Sequence, residues 1–166
     1  MTDRYARQTI LTEVGPEGQA RLAAGTVLVV GAGGLGCAVL PYLAAAGVGR
    51  LLIVDHDRVE ESNLHRQPLY RMSDVGQPKV QAARGALTAL NPATGIESLC
   101  ERLSSVNAAP LVERATVVID AADSFAVTYL LSDTCERAGK PLVSASVLGL
   151  AGYVGVFCGG APAAYP

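Results

Sequence analysis

No stretch of the 166-residue chain stays apolar for long. Its hydrophobic runs are interrupted by Gly or by charge well short of the roughly 20 apolar residues that a bilayer span takes. The N-terminus, Met-Thr-Asp-Arg-Tyr-Ala-Arg, lacks the apolar core of a secretory signal. There is no basic run, and a net charge of −2 argues against nucleic acid as the main partner. Cysteine is sparse and dispersed. Cys37, Cys100, Cys135 and Cys158 never form a C-x-x-C pair, and zinc needs clustered ligands, so no zinc site is assigned. Cys37 and Cys135 fall on helical stretches and read as small buried hydrophobes, in keeping with a reduced, cytoplasmic protein. Charged residues are only 17% against 50% hydrophobic, which suits one α/β domain whose sheet is covered on both faces.

What is present begins with Val27-Leu-Val-Val-Gly31-Ala-Gly33-Gly34-Leu-Gly36. Val27 to Val30 reads as a short buried strand. The glycines allow a tight turn and a close backbone approach to a phosphate. The helix opening at Gly34 aims its free N–H groups and positive dipole end at that anion. Asp55 ends a second apolar run, Leu51-Leu-Ile-Val54, where its carboxylate can hold a ribose hydroxyl. Strand, glycine turn, helix and distant acid together predict nucleotide binding, without distinguishing NAD, FAD and ATP. A glycine-rich turn serving only close helix–strand packing is the plainer alternative.

The rest of the chain alternates as a parallel sheet requires. Strands are predicted at 26–30, 50–54, 96–101, 116–120 and 142–147, with a further one at 153–158 as a possible antiparallel edge. Helical turns are expected at 4–9 and 17–24, and helices at about 35–46, 78–90, 107–113 and 124–138. Pro78 opens the second of these helices, Asn91-Pro92 stops it, and Gly139 ends the last. An irregular stretch from His56 to Gly76 carries polar residues that surface exposure alone does not explain. The expected fold is a doubly wound, Rossmann-like, mostly parallel sheet with helices on both faces, preceded by an N-terminal helical segment. Residues 1–166 form a single nucleotide-binding domain in this reading, with the helical segment at 1–25 and the core at 26–166.

Placed on that sheet, Gly31, Asp55, Asp120 and Asp123 all follow the carboxyl ends of parallel strands, the edge where such sheets bind ligands. Ser62-Asn63-Leu-His65-Arg66-Gln67 and Gly76-Gln77-Pro78-Lys79 flank the same edge. Cations and carboxylates converging on a nucleotide crevice suit phosphate chemistry better than hydride transfer. Lys and Arg neutralise a polyphosphate, and an Asp can hold magnesium.

The order of five motifs carries a resemblance. Arg4-Tyr5-Ala-Arg7-Gln8, the glycine run, Asp55-His-Asp57, Ser62-Asn63-Leu-His-Arg66-Gln67 and Gly76-Gln77-Pro78-Lys79 together resemble the ThiF/MoeB family of adenylyltransferases, relatives of ubiquitin-activating enzymes. The resemblance covers essentially the whole chain. It implies that ATP adenylates the C-terminal glycine of a ubiquitin-like sulfur-carrier protein ending in Gly-Gly, as in thiamine or molybdopterin sulfur transfer, and that pyrophosphate is released. By the same resemblance Gly31, Gly33, Gly34 and Gly36 line the ATP site, and Asp55 resembles the ribose acid, with Asp57 beside it. Asn63, Arg66 and Lys79 resemble phosphate-handling residues, and Asp123 resembles a Mg²⁺-binding aspartate. Arg7 resembles an arginine donated across a homodimer interface. Relatives usually carry Thr-Asp-Asn where this chain has Ala122-Asp123-Ser124, which shortens the neighbour of the acid. They also continue past Gly160-Ala-Pro-Ala-Ala-Tyr-Pro166 with a crossover loop and further sheet, so the chain is expected to hold the nucleotide-binding part of such an enzyme.

Each residue has a plainer reading: Arg66 a solvated loop arginine, Lys79 the exposed side of a first helical turn, Arg7 a surface residue, Asp57 and Asp120 caps of a turn and a helix. His65, Tyr5 and Gln8 are read as structural. Two other functions stay open beside the adenylyltransferase: an NAD- or FAD-dependent oxidoreductase, and a non-catalytic nucleotide-binding or dimerisation domain. No nucleic acid or membrane partner is expected.

Overall fold

Alternating apolar runs and helical segments resolve into one six-stranded sheet in the computed structural model, which describes residues 3–158. The strands are β1 (Thr26–Val30), β2 (Arg50–Val54), β3 (Gly95–Leu99), β4 (Val117–Asp120), β5 (Pro141–Leu148) and β6 (Ala151–Cys158). The helices are α1 (Ala6–Thr9), α2 (Gly15–Ala24), α3 (Gly34–Ala46), α4 (Lys79–Leu90), α5 (Ala108–Glu113) and α6 (Phe125–Ala138). The spatial order is β3-β2-β1-β4-β5-β6, parallel except for β6, which pairs antiparallel with β5. From β1 the chain winds outward through β2 and β3, and from β4 it winds the other way. The β1–β4 seam is therefore the switch point of a doubly wound, Rossmann-like sheet.

The central strands are apolar throughout because both faces are covered. Val27, Val29, Leu51 and Ile53 point to one side and join Leu40 and Ala44 of α3 and Val80, Ala83 and Leu87 of α4. Leu28, Val30, Leu52 and Val54 point to the other and join Leu111 and Val112 of α5 and Leu131 and Cys135 of α6. Leu28, Leu51, Leu52 and Ile53 are wholly buried. A one-residue register slip would exchange the two faces, and with both apolar the helices, rather than the strand pattern, specify which is which.

Boundaries differ from expectation where backbone pairing intervenes. Pro78 stays outside α4, because its extended ψ of 131° places it in an isolated antiparallel bridge with Arg58. β3 stops at Leu99, whose carbonyl accepts from Asp55 N–H at 3.2 Å, so Cys100 and Glu101 lie beyond the ladder. The stretch expected to be irregular contains two 3-10 turns, at Glu61–Asn63 and Met72–Asp74. The antiparallel edge is present and longer than expected, since Gly149 in the left-handed region (φ 61°) closes a tight β5–β6 hairpin. The segment Gly160–Pro166 lies outside the described residues. Among those described, no helix is long and apolar enough to cross a membrane.

The N-terminal segment docks at the end of α3 remote from the glycine turn. Asn91 Nδ2 donates to Tyr5 Oη at 2.8 Å, and Gln8 Nε2 donates to Gln19 Oε1 at 2.8 Å and to the Ala46 carbonyl at 3.2 Å. Tyr5 and Gln8 are thus structural, as read from the sequence.

The first turn of α3 sits so close to the glycine loop that a Cβ at Gly36 would overlap the Gly31 carbonyl. Gly36→Ala is therefore expected to destabilise by roughly 1–3 kcal/mol through overpacking, although alanine is the better helix former. Gly85, inside α4 with nothing near its Cβ position, should behave oppositely: Gly85→Ala is expected to stabilise by about 0.5–1 kcal/mol. Urea unfolding of the two variants reads both signs.

Candidate functional site

The turn between β1 and α3 is shaped by contact with its neighbours. Gly31 has φ 98°, and a Cβ there would lie 2.5 Å from the Ala121 carbonyl oxygen at the end of β4. Only glycine lets the loop close against β4 at the switch point. Ala32 is then held at both of its polar groups. Its N–H donates to Asp55 Oδ2 at 2.7 Å, and its carbonyl accepts from the Tyr70 hydroxyl at 2.6 Å and from Cys37 Sγ at 3.5 Å. α3 begins at Gly34 with no side-chain cap, leaving first-turn N–H groups for a ligand.

The 60–67 segment lies over this helix start. The Arg66 carbonyl and side-chain stem are 3.6 and 3.9 Å from where a Gly34 Cβ would be, and Gln67 Nε2 is 3.8 Å from the equivalent point at Gly33. Arg66 is exposed, and its Nη2 donates to Asn63 Oδ1 at 2.6 Å, while Asn63 Nδ2 donates to Glu60 Oε2 at 3.1 Å. His65 is fixed by its own loop, with Nδ1 3.0 Å from the Ser62 carbonyl, in line with a structural role. Gln67 is buried, and its Oε1 has no hydrogen-bond partner.

Lys79 is not the exposed first-turn lysine of the plainer reading. It is 5% exposed, and its Nζ donates to Asp57 Oδ2 at 2.8 Å. The backbones are joined as well, by Lys79 N–H to the Asp57 carbonyl at 2.9 Å. The Lys79 hydrogen bond holds the half-exposed Asp57 carboxyl below its ordinary range. Asp57 N–H donates to Asp55 Oδ1 at 2.7 Å. The acid expected at the ribose and the lysine expected at phosphate are therefore coupled through Asp57. Donor atoms of Asp55, His56 and Asp57 lie within 4.8 Å of one another, but the two carboxylates are already engaged by Ala32, Asp57 N–H and Lys79.

Across the seam the end of β4 carries the remaining acids. Asp120 is wholly buried and accepts from Ser144 Oγ at 2.9 Å, Thr128 Oγ1 at 2.7 Å and Ala122 N–H at 3.2 Å. One carboxylate thus ties β4, α6 and β5 to the loop that ends in Asp123. This is more than the strand end and helix cap read from the sequence. Asp123 is exposed and has no hydrogen-bonded or ionic partner among the described residues. A free carboxylate is the chemical type of oxygen ligand that Mg²⁺ takes.

Arg7 is the exception to this convergence. It is exposed on α1, beside the C-terminal end of α3. The 13 residues of α3 separate it from the glycine turn, a rise of about 20 Å, more than an arginine side chain reaches. One contributor escapes sequence reasoning: Tyr70 acts by pinning the Ala32 carbonyl, and no spacing rule marks it. Asp120 is placed at this edge by its position after a strand, but its partners Thr128 and Ser144 are not foreseen from the sequence. Cys37 and Cys135 are buried as expected, and burial pushes the Cys135 thiol up to about 11 and raises that of Cys37. Two other concavities, of about 290 and 390 Å³, lie between α5 and α6 and beside α2, away from the glycine loop.

Fold and site together define a Rossmann-like domain with a glycine loop, an acid at the end of β2 and a cationic flank at its switch point. Residues 5–165 match the ThiF family model, and the chain belongs to that family. It is 52% identical over 155 residues to the sulfur carrier protein adenylyltransferase of Thermus thermophilus, covering 93% of this chain and 57% of that protein. It is 51% identical over 160 residues to the adenylyltransferase and sulfurtransferase MOCS3 of Bos taurus, covering 96% of this chain and 35% of the relative. The SAMP-activating enzyme E1 of Haloferax volcanii is 48% identical over 145 residues, with 87% and 54% covered. The chain thus spans from about a third to a little over half the length of these relatives. Among solved structures, E. coli MccB with ATP superposes with a TM-score of 0.88 at 25% identity, covering 97% of this chain and 50% of that one.

The Asp57–Lys79 pair has a pH signature. Asp57→Asn leaves a buried ammonium facing a neutral amide and should cost about 1 kcal/mol at neutral pH, reduced from a fully buried pair because Asp57 is half exposed. The folded-state pKa of Asp57 is depressed, so its stabilisation is complete above the unfolded value, near 3.8, and fades as pH falls through the lower folded value. Urea unfolding should therefore separate wild type from Asp57→Asn between pH 5 and 8, with the curves converging below about pH 4.

Proposed function

We propose that the chain is the ATP-binding domain of an adenylyltransferase that activates the C-terminal glycine of a ubiquitin-like sulfur-carrier protein ending in Gly-Gly. One observation carries the reading. The stem of Arg66 packs over the uncapped start of α3, so a residue carrying an exposed cation is held beside the free helix N–H groups of the glycine loop. A redox dinucleotide needs no such cation for a phosphate bond that never breaks. The relatives' names supply the carrier.

The triphosphate lies along the start of α3, where backbone N–H groups accept it without a net charge of their own. Asp55 keeps a second lone pair on each oxygen after accepting Ala32 and Asp57 N–H, enough to hold ribose hydroxyls. Arg66, Asn63 and Lys79 hold the β and γ phosphates, with Lys79 exchanging Asp57 for phosphate oxygen. A carboxylate oxygen of the carrier's terminal glycine attacks the α-phosphorus. The new acyl–phosphate bond forms as the bond from the α-phosphorus to the bridging oxygen breaks, and pyrophosphate leaves with that electron pair. Asp123 is the ligand for Mg²⁺, which supplies a divalent counter-charge to the polyphosphate. Charge neutralisation of this kind is typically worth about 10²–10³ in rate per contact.

Arg7 reaches a nucleotide only from a second copy, since its own glycine loop is a helix length away. The reading therefore includes a homodimer with shared sites. Residues 1–166 are taken as a single domain, working in the cytoplasm with neither nucleic acid nor membrane as partner.

Titration calorimetry on the chain separates the competing functions. Mg-ATP should bind more tightly than NAD or FAD. Tighter binding of a redox dinucleotide would transfer the protein to the oxidoreductases, and no nucleotide binding would leave a scaffold domain. Shared sites are tested by mixing. In a chain extended to the relatives' length, Arg7→Ala and Lys79→Ala should each abolish carrier-dependent ATP–pyrophosphate exchange. Mixed dimers should recover part of it, because some sites then hold both intact residues. No recovery despite demonstrated subunit exchange would remove Arg7 from the site.

A further inference from the structure

Tyr70 is a buried polar side chain with no part in the reaction outlined above. It is 5% exposed, its ring belongs to the core cluster with Val59 and Cys37, and burial raises its pKa, so the hydroxyl keeps its proton. That proton goes to the Ala32 carbonyl at 2.6 Å, from a residue 38 positions away in the chain. A carbonyl and the following N–H share one planar trans peptide and point in opposite directions. The direction of the Ala32 carbonyl thus determines that of the Gly33 N–H.

The neighbouring peptide illustrates the same constraint. Ala32 N–H is drawn outward to Asp55, and the Gly31 carbonyl faces the opposite way, against Gly36 of α3. In the next peptide the polarity reverses. The Ala32 carbonyl is drawn inward by Tyr70 and Cys37, and the Gly33 N–H faces away from the core, with no described group accepting it. A glycine-rich turn has little intrinsic preference between such peptide orientations, so an external clamp decides.

We propose that Tyr70 is a positioning residue for phosphate recognition: its hydroxyl holds the Ala32–Gly33 peptide with the Gly33 N–H directed outward as a donor to a nucleotide phosphate. This rests on the nucleotide reading above and adds to it a residue that touches no ligand. It also makes the 56–78 segment, which contributes Arg66, the element that sets the glycine loop.

Tyr70→Phe removes the hydroxyl and keeps the ring. Titration calorimetry with Mg-ATP and, separately, with adenosine tests the variant. The hydroxyl orients a phosphate donor, so the Mg-ATP affinity should fall by about tenfold, the scale of one hydrogen bond, while adenosine affinity stays at the wild-type value. Val59→Ala loosens the same cluster without touching the Ala32 carbonyl, and should lower the melting temperature while leaving the ratio of the two affinities unchanged. Equal weakening of ATP and adenosine by Tyr70→Phe, unchanged binding of both, or loss of the fold would overturn the positioning role and leave the nucleotide reading intact. Wild-type protein that binds neither ligand would overturn both.

Discussion

A carbonyl oxygen at the end of β4 and the backbone of Gly31 approach each other too closely for any side chain to intervene, and most of the functional edge follows from that contact. It brings the β1–α3 turn onto the β4 terminus, and so places the start of α3 at the seam where the sheet's two halves wind apart. The second close approach, Gly36 against the Gly31 carbonyl, sets the helix down on its own loop. Neither contact is itself a strong attraction. They are steric permissions, and burial of the flanking strands supplies the free energy that holds them.

Polar groups around this turn divide into those that shape it and those left free. Asp55 and Tyr70 take the N–H and carbonyl of Ala32 from opposite sides. Asp57 links Asp55 to Lys79, and Asp120 gathers β4, β5 and α6 beneath the Ala121–Asp123 loop. With these internally satisfied, the groups remaining for a ligand are the uncapped α3 start, the guanidinium donors of Arg66 that Asn63 does not take and the unpartnered Asp123. Buried polar atoms are tolerated when paired, and here the pairing also fixes geometry. The unpartnered Gln67 Oε1 is the one described exception, and it lies beside Gly33.

The Asp57–Lys79 pair gives the site a resting state. An ammonium buried to this degree needs a counter-charge, and a half-exposed carboxylate supplies one, which in the proposed site a polyphosphate would displace. On the proposed reading, exchange between anions would keep the lysine compensated throughout, so nucleotide entry would not first expose an unpaired buried charge. Asp57 thereby differs from Asp55, with which the sequence pairs it: one carboxylate shapes the loop, and the other neutralises its neighbour.

Much of the fold was legible in the residues. Thr26–Val30 and Arg50–Val54 were placed to the residue, since apolar runs bounded by Gly or charge leave little freedom, and the antiparallel edge was anticipated. The glycines, Asp55, Arg66, Lys79 and Asp123 were assigned by motif to one edge, and the topology does gather them there, because every parallel strand delivers its C-terminus to the same side. What only tertiary structure decided were the pairings: Asp57 with Lys79, Tyr70 with the Ala32 carbonyl, Asp120 with Thr128 and Ser144, and the removal of Arg7 to the far end of α3. Periodicity and spacing report which residues share an element or an edge. They carry no information on which donor meets which acceptor across tens of residues, since that depends on how separately formed elements settle against one another.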